Sequence, residues 1–278
     1  MISINTNNGG LFAAKAASQS QATIDSAMQR LSTGSRINNA KDDAAGQAIA
    51  TRLTAEIQGL EIASRNVADG QSLVDTAEGA LQETHTLLLR MREIGVQAAN
   101  GTLSTSDNEA LDAEFQQLVK EIDRIAQNTT WAGAALLNGD AAGAEDSTAT
   151  FSFQAGVGNN SGADVFSVTV KNADATTLDI YAEQTVGGVT SNSVGLLSQS
   201  SAQTAIGLVD TAIATVSSER ANLGAVSNRM ASTMANLDQI RVNLTASKGR
   251  IADADFAAET ANLAKGQILQ QAATAMLA

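Results

Sequence analysis

Two carboxylate pairs are the residues most suited to chemistry in this chain: Asp42-Asp43, and Asp253 with Asp255. Paired carboxylates are the residue type of general acid–base work. Both pairs sit in charge-poor segments with no pocket-forming residues beside them, which favours helix capping and hydrogen bonding between subunits. Arg36 and Lys41 are nearby partners for Asp42 or Asp43. His85 is the only histidine and there is no cysteine. A triad base and a His/Cys metal set therefore lack their second member, and His85 reads as a surface or bundle-edge residue. Gly156-Val157-Gly158 and Gly187-Gly188 do not stand between a strand and a helix with a following lysine; they are turns, not phosphate cradles. Asn100-Gly101-Thr102, Asn128-Thr129-Thr130 and Asn159-Asn160-Ser161 fit the N-glycosylation pattern, which is short enough to recur by chance. There is no His-Glu-x-x-His motif. No catalytic, cofactor-binding or metal-binding residue is assigned, and no cofactor is expected.

Elements without chemistry of their own point to a building block. The chain has 278 residues, room for one large domain or two smaller ones. It is 44% hydrophobic but only 3% aromatic, whereas thick enzyme cores draw heavily on Phe, Tyr and Trp. A core of Ala, Leu, Ile and Val suits helices that lie close together. Proline is absent altogether, in keeping with long uninterrupted helices. The net charge of −12 argues against non-specific binding to nucleic acid or an anionic membrane. The N-terminus has no basic and apolar regions of a Sec signal peptide, and no apolar run reaches bilayer-spanning length.

Leu60, Val67, Val74, Leu81 and Leu88 recur as a heptad seam, with Ala63, Gly70, Ala77, Thr84 and Met91 at the alternate position. Small residues at one seam position permit close helix approach. Ile49, Leu53 and Ile57 extend the stripe backwards, and Asn100-Gly101 reads as the stop. A second helix is predicted after a capping box with Ser106 as N-cap and Glu109 at N3, carried by Leu111, Phe115, Leu118, Ile122 and Ile125. Asn128 to Gly139 reads as a turn-rich connection. A third long helix is marked by Ile206, Val209, Ile213, Val216, Leu223, Met230, Leu237 and Leu244. Between them, Thr150–Gln154 and Val165–Val170 alternate with period two, as a hairpin does. Residues 178–196 add a strand or only loop. The expected fold is mainly α: an antiparallel long-helix bundle built from both termini, with a small β-hairpin-containing central insert. The first 30 residues and the last 23 are nearly free of charge, and weakly amphipathic helices of this kind need a partner to offset their ordering entropy.

Leu31-Ser32-Thr33-Gly34-Ser35-Arg36-Ile37-Asn38-Asn39-Ala40-Lys41-Asp42-Asp43-Ala44-Ala45-Gly46 closely resembles the N-terminal signature of bacterial flagellins. The resemblance includes Ile2-Ser3-Ile4-Asn5-Thr6-Asn7, Arg65–Gly70 and Arg92–Gly101. Near the other end it takes in Arg220–Arg229, Arg250–Phe256 and Gln267–Gln271. It covers most of both arms, with several long motifs in the right order.

The resemblance implies a self-assembling subunit of the flagellar filament, used for motility and located outside the cell. It implies export through the flagellar type III apparatus, with an export chaperone and the filament cap as further partners. It implies inner-tube helices and connecting spoke from residues 1–44 with 235–278, an outer-tube bundle from 45–177 with 196–234, and a short variable insert at 178–195. Inter-subunit contacts are expected at Leu31, Ile37, Asn38, Asp42 and Asp43, and at Leu263, Ile268 and Leu269. A patch recognised by a vertebrate Toll-like receptor maps to Arg90, Glu93, Ile94 and Glu114, with Ile94 where Leu is more usual; subunit packing is the competing role for these residues. Family members usually continue beyond Met276-Leu277-Ala278, so a truncated C-terminus is expected. Two other roles fit the terminal architecture. A hook–filament junction protein usually diverges within residues 31–46, and a surface adhesin would bind glycans through the Thr/Ser/Asn-rich tip.

Overall fold

The computed structural model describes residues 8–138, 148–160, 162, 164–180, 183–186, 189–192 and 194–277, with backbone alone for 183–186, 189–192 and 277. The motif Ile2–Asn7, Ser161 and the Gly187-Gly188 turn lie outside the described residues. Five helices dominate: α1 (Asn8–Thr33), α2 (Ala44–Ala98), α3 (Thr105–Asn128), α4 (Gln199–Ala252) and α5 (Phe256–Leu277). Among the described residues six short strands form three antiparallel pairs: β1 (Thr130–Trp131) with β2 (Ala134–Ala135), β3 (Thr148–Gln154) with β4 (Val165–Lys171), and β5 (Glu183–Val186) with β6 (Val189–Asn192). The chain is mainly α, as its periodicities predict. It divides into two compact units, residues 1–61 with 238–278, and residues 62–237.

In the second unit the α2 seam is buried as the heptads predict. Val67, Val74, Leu81 and Leu88 line one position, and Gly70, Ala77, Thr84 and Met91 the other. Thr84 is tolerated there because its hydroxyl donates to the Ala80 carbonyl at 3.1 Å. Four contacts fix the pairing of α2 with α4. Gly70 faces Met230, Glu78 meets Arg220 at 2.7 Å, Arg92 meets Asp210 at 2.6 Å, and Gly95 faces Ile206. As one number rises the other falls, so the helices are antiparallel. A Cβ on Gly70 would lie 2.9 Å from Met230 Cε and 3.1 Å from Phe153 Cδ2, so glycine is what lets helix and hairpin close here.

The other two helices bury much of the expected face, with smaller neighbours taking some of its innermost positions. In α3, Phe115 and Ile122 are buried with Val119 and Ala126, while Leu118 and Ile125 are only half-buried. In α4, Ala202, Val209, Val216, Leu223, Met230 and Leu237 make a heptad seam whose alternate positions are Ala205, Ala212 and Glu219; Ile206 and Ile213 lie at its flank. The smaller neighbour takes the innermost position because it permits shorter interaxial spacing, and the larger one covers the side. The N-cap of α3 is Ser104 rather than Ser106. Its hydroxyl accepts the Asp107 N–H, and Asp107 Oδ2 accepts the Ser104 N–H at 3.0 Å. Asp107 closes this capping box from a helix that starts two residues earlier, with a shorter side chain than the expected glutamate. The Ser104 bonds hold the Asp107 carboxyl below the usual aspartate range.

The β3–β4 hairpin places Ala149, Phe151 and Phe153 opposite Val170, Val168 and Phe166 on its inner face. The outer face carries Thr150 opposite Thr169 and Ser152 opposite Ser167. Arg229 of α4 stacks over Phe166 at 4.3 Å. The connection after α3 holds an unforeseen hairpin, β1–β2, whose two-residue turn uses positive φ at Ala132 and Gly133. Its Trp131 packs edge-on to Phe153 at 6.5 Å. Carboxylates borne on helices fasten the segment that follows. Glu219, 4% exposed at a seam position, accepts the Lys171 N–H. Asp123 takes that of Ala175 at 2.8 Å, and Asp112 that of Leu196 at 2.8 Å. Residues 183–186 pair antiparallel with 189–192, and the flanking Leu178, Ile180, Val194 and Leu196 are buried.

The buried α2 seam yields a direct expectation. Leu81→Ala removes a side chain that is 1% exposed and should cost about 2–5 kcal/mol of unfolding free energy. Urea denaturation followed by circular dichroism checks it; a loss below about 0.5 kcal/mol, the level of ordinary surface changes, would contradict the assignment of the seam.

Candidate assembly surfaces

The first unit is built on α1 against α5. Gln270 donates to Gln21 at 2.6 Å, Gly266 faces Ile24, and Arg30 pairs with Glu259 at 2.8 Å, so these helices are also antiparallel. Ala13, Ser20 and Ala27 are buried on one, and Glu259, Gly266 and Ala273 on the other, each set at seven-residue spacing. A Cβ on Gly266 would lie 2.7 Å from Ile24 Cγ1. The pairing consumes the small residues and turns large apolar side chains outward: Leu11, Phe12 (74% exposed), Met28, Ile268 (65%), Leu269 (49%) and Met276. The Arg30 side chain is 30% exposed and that of Glu259 only 11%, so the attraction between them is largely offset by the cost of taking the Glu259 carboxylate out of water.

A compact turn follows α1. Gly34, at φ +70°, ends the helix with its N–H on the Arg30 carbonyl at 2.9 Å. The chain then pairs with the end of α4: Ser35 bridges Asp253, the Arg36 N–H donates to the Ala252 carbonyl at 2.7 Å, and the Arg36 guanidinium donates to the Ile251 carbonyl at 2.6 Å. Asp42 Oδ2 accepts the N–H groups of Asn38 at 3.2 Å and Asn39 at 2.9 Å. These two amides, Asn39 first, hold the Asp42 carboxyl below its ordinary range, and Lys41 and Arg30 add to the effect. Asp43 Oδ1 accepts the Gly46 N–H at 2.8 Å at the start of α2. A Cβ on Gly46 would collide with Asp43 Oδ2 and lie 2.7 Å from Ile37 Cδ1. Asp255 plays the same part at α5, accepting the Ala257 N–H at 2.9 Å. Asp42, Asp43 and Asp255 thus serve as caps and turn closures, while Asp253 lines an open groove of this unit.

The expected contact residues fall into two groups. Ile37 is buried inside the turn, Asn38 and Leu31 are half-buried, and Asn38 donates to the Ser35 carbonyl at 2.9 Å. Asp42 and Asp43 are exposed yet engaged with their own backbone. On α5, Leu263 is half-buried, while Ile268 and Leu269 face outward. In the second unit Arg90 bridges Glu114 at 2.7 Å and Glu93 at 3.1 Å on an exposed surface, with its guanidinium pKa raised first by Glu114. Ile94 does not belong to that surface. It is 1% exposed, because its position places it on the buried stripe one turn beyond Met91. His85 is half-buried at the edge of that stripe.

The small-residue faces of α1 and α5 were missed by sequence reasoning, as was an open groove in the first unit. The signal for the former was the seven-residue spacing of Ala13, Ser20 and Ala27. The groove, about 770 Å³, is lined by Ile57, Glu61, Arg241, Val242, Ala246 and Arg250 among others. Among the described residues no group of acidic and histidine side chains is placed to hold a metal, and no helix is long and apolar enough to cross a membrane.

Residues 4–142 match the bacterial flagellin N-terminal helical region, and residues 206–278 match the bacterial flagellin C-terminal helical region. Flagellin A of Vibrio cholerae is 33% identical over 372 aligned positions, covering 100% of this chain and 96% of the relative. A flagellin of Halalkalibacterium halodurans is 43% identical, covering 91% of this chain and 86% of the relative. A solved structure titled as a putative flagellar hook-associated protein from Vibrio parahaemolyticus shares the fold, with a TM-score of 0.59 at 14% identity, over 76% of this chain and all of that one. The flagellin of Bacillus cereus has 34% identity with a TM-score of 0.48, over 62% of this chain and 88% of that one. With both terminal regions matched and relatives aligned along its whole length, the chain belongs to the bacterial flagellin family.

Proposed function

We propose that this chain is the structural subunit of a helical flagellar filament used for motility, and that it acts outside the cell without enzymatic activity. One observation carries the reading beyond family membership. The α1–α5 pair leaves Leu11, Phe12, Met28, Ile268, Leu269 and Met276 in water, and apolar surface of that kind marks a site of association. Copies of the same pair, stacked around an axis, would cover it. On this reading residues 1–44 with 235–278 form the inner tube and spoke, 45–177 with 196–234 the outer tube, and 178–195 the surface insert. The family resemblance supports export through the flagellar type III apparatus without a cleaved Sec signal, together with an export chaperone and the filament cap as partners. It also supports recognition of Arg90, Glu93 and Glu114 by a vertebrate Toll-like receptor. The ion-paired, exposed setting of those three suits such a contact.

Three measurements test this. Changing Ile268→Asp and Leu269→Asp together places charge on the outward face of α5 while leaving its small-residue face intact. The expected result is an unchanged circular dichroism spectrum and loss of seeded filament growth by electron microscopy; elongation at the unmodified rate would overturn the assembly role of this face. The second concerns acid. Because the folded Asp42 pKa lies below its unfolded value near 3.8, its stabilisation is complete above that value and is lost as pH falls through the lower folded pKa. Asp42→Asn should therefore weaken the turn at neutral pH and remove part of the acid dependence of filament disassembly measured by light scattering. An acid limb of identical shape would count against it. For the receptor, Arg90→Glu should reduce signalling in receptor-reporter cells at least tenfold; an unchanged dose response would dismiss the patch.

A further inference from the structure

The turn between α2 and α3 contains a reactive arrangement that lies apart from the residues assigned above to assembly. Asn100 follows the end of α2 and is exposed, as is Gly101 after it. Asn100 is held at three atoms. Its N–H donates to the Gln97 carbonyl at 3.2 Å, its carbonyl accepts the Leu103 N–H at 3.3 Å, and its side-chain Oδ1 accepts the Thr102 N–H at 3.3 Å. The last bond folds the carboxamide back over the Gly101 peptide as an Asx-turn. The Gly101 N–H has no backbone acceptor among the described residues, and a Cβ at Gly101 would find only the Gln199 side chain, at 3.7 Å or more. The space beside the Gly101 Cα is therefore open, and among the described residues its nitrogen makes no competing bond.

We propose that Asn100-Gly101 is a self-modification site, at which the Asn100 carboxamide is lost through a cyclic imide. The Gly101 nitrogen gives up its proton and bonds to Asn100 Cγ. The Cγ–Nδ2 bond breaks, and ammonia leaves with that proton. Water then opens the five-membered imide. Addition at Cγ gives aspartate; addition at the main-chain carbonyl carbon gives isoaspartate, with the chain rerouted through Cβ. Nothing is oxidised or reduced, and water is the only co-reactant. The Thr102 N–H points at the oxygen on which negative charge develops, the role that a fixed donor plays in an oxyanion hole. Glycine matters twice: it lacks the Cβ that would hinder attack, and its backbone can take the angles that the imide requires. The product puts a carboxylate just beyond the C-terminus of α2, where the helix dipole disfavours negative charge. The isoaspartate form also lengthens the link between α2 and Ser104, the cap of α3. The turn thereby records the age of each copy.

The test uses the full folded chain, held at mildly alkaline and at mildly acidic pH, then digested and read by mass spectrometry. Isoaspartate is counted separately by an isoaspartyl methyltransferase. Asn8-Gly9 is the internal comparator, because the helical backbone at the start of α1 holds Gly9 in the geometry of a helix rather than of a turn. The Asn100 peptide should gain the amide-to-acid mass change at least several-fold faster than the Asn8 peptide. It should react faster at alkaline pH, and at a rate no lower than in the urea-unfolded chain. Gly101→Ala should slow it several-fold without changing the circular dichroism spectrum. An Asn100 rate at or below that of Asn8, or one that rises several-fold on unfolding, would overturn the proposal. Should Gly101→Ala disturb the fold, the folded-against-unfolded comparison in the unmodified chain still decides it.

Discussion

Close approach of helix backbones is the constraint on which this structure depends. Few aromatic side chains are available to fill space, so apolar burial must come from helices brought near enough for Ala, Gly, Val and Leu to exclude water between them. Attraction between packed atoms falls steeply with separation, and a gap of a fraction of an ångström along a helix more than 50 residues long forfeits many small contributions together. Gly70 against Met230, Gly95 against Ile206 and Gly266 against Ile24 are the points where this closeness is greatest. A side chain at Gly266 would collide with Ile24, and one at Gly70 or Gly95 would force Met230 or Ile206 to give way.

How far the sequence could be read depended on this same packing. The α2 seam was legible from Leu60 to Met91 because its large residues and its small ones both keep the seven-residue period, but its expected backward extension was not borne out: Ile49 is 40% exposed, and Leu53 and Ile57 are only half-buried. The seams of α3 and α4 were legible only in outline. A reading that follows large apolar residues selects Leu118, Ile125, Ile206 and Ile213, whereas closeness selects Val119, Ala126, Ala205 and Ala212. The same preference hid the contact face of α1 and α5, which is made of residues that a hydrophobicity pattern hardly registers. The cap of α3 was misplaced by two residues because Ser104 and Ser106 carry the same chemistry, and only the chain path from Asn100 distinguishes them. Ile94 was read as a surface residue from a family pattern, although its own spacing from Met91 places it inside.

The polar groups inside the second unit act on the non-helical segments. Glu219 accepts the N–H of Lys171 at the end of β4, and Asp123 and Asp112 each accept a backbone N–H from the stretch between β4 and α4. A buried N–H without an acceptor costs more than a surface bond contributes, so these carboxylates make an irregular path tolerable against the helices. The insert can then remain short: its flanking residues are anchored by side chains of the bundle.

Repetition carries an ambiguity of its own. A face of small residues at seven-residue spacing looks nearly the same after sliding by one repeat, a displacement of about 10 Å along the helix. Ala13, Ser20 and Ala27 would meet Gly266 and Ala273 almost as well in the slipped arrangement. Glu259 breaks the degeneracy, since it occupies the third position of its own series and is buried there. After a slip it would stand opposite Ser20 and Thr23 of α1 instead of Arg30, a buried carboxylate without its cationic partner. A single polar residue in such a seam selects alignment at some expense of stability. An ion pair that adds little net strength to the α1–α5 pair is thus the contact that tells each helix where along the other to stop.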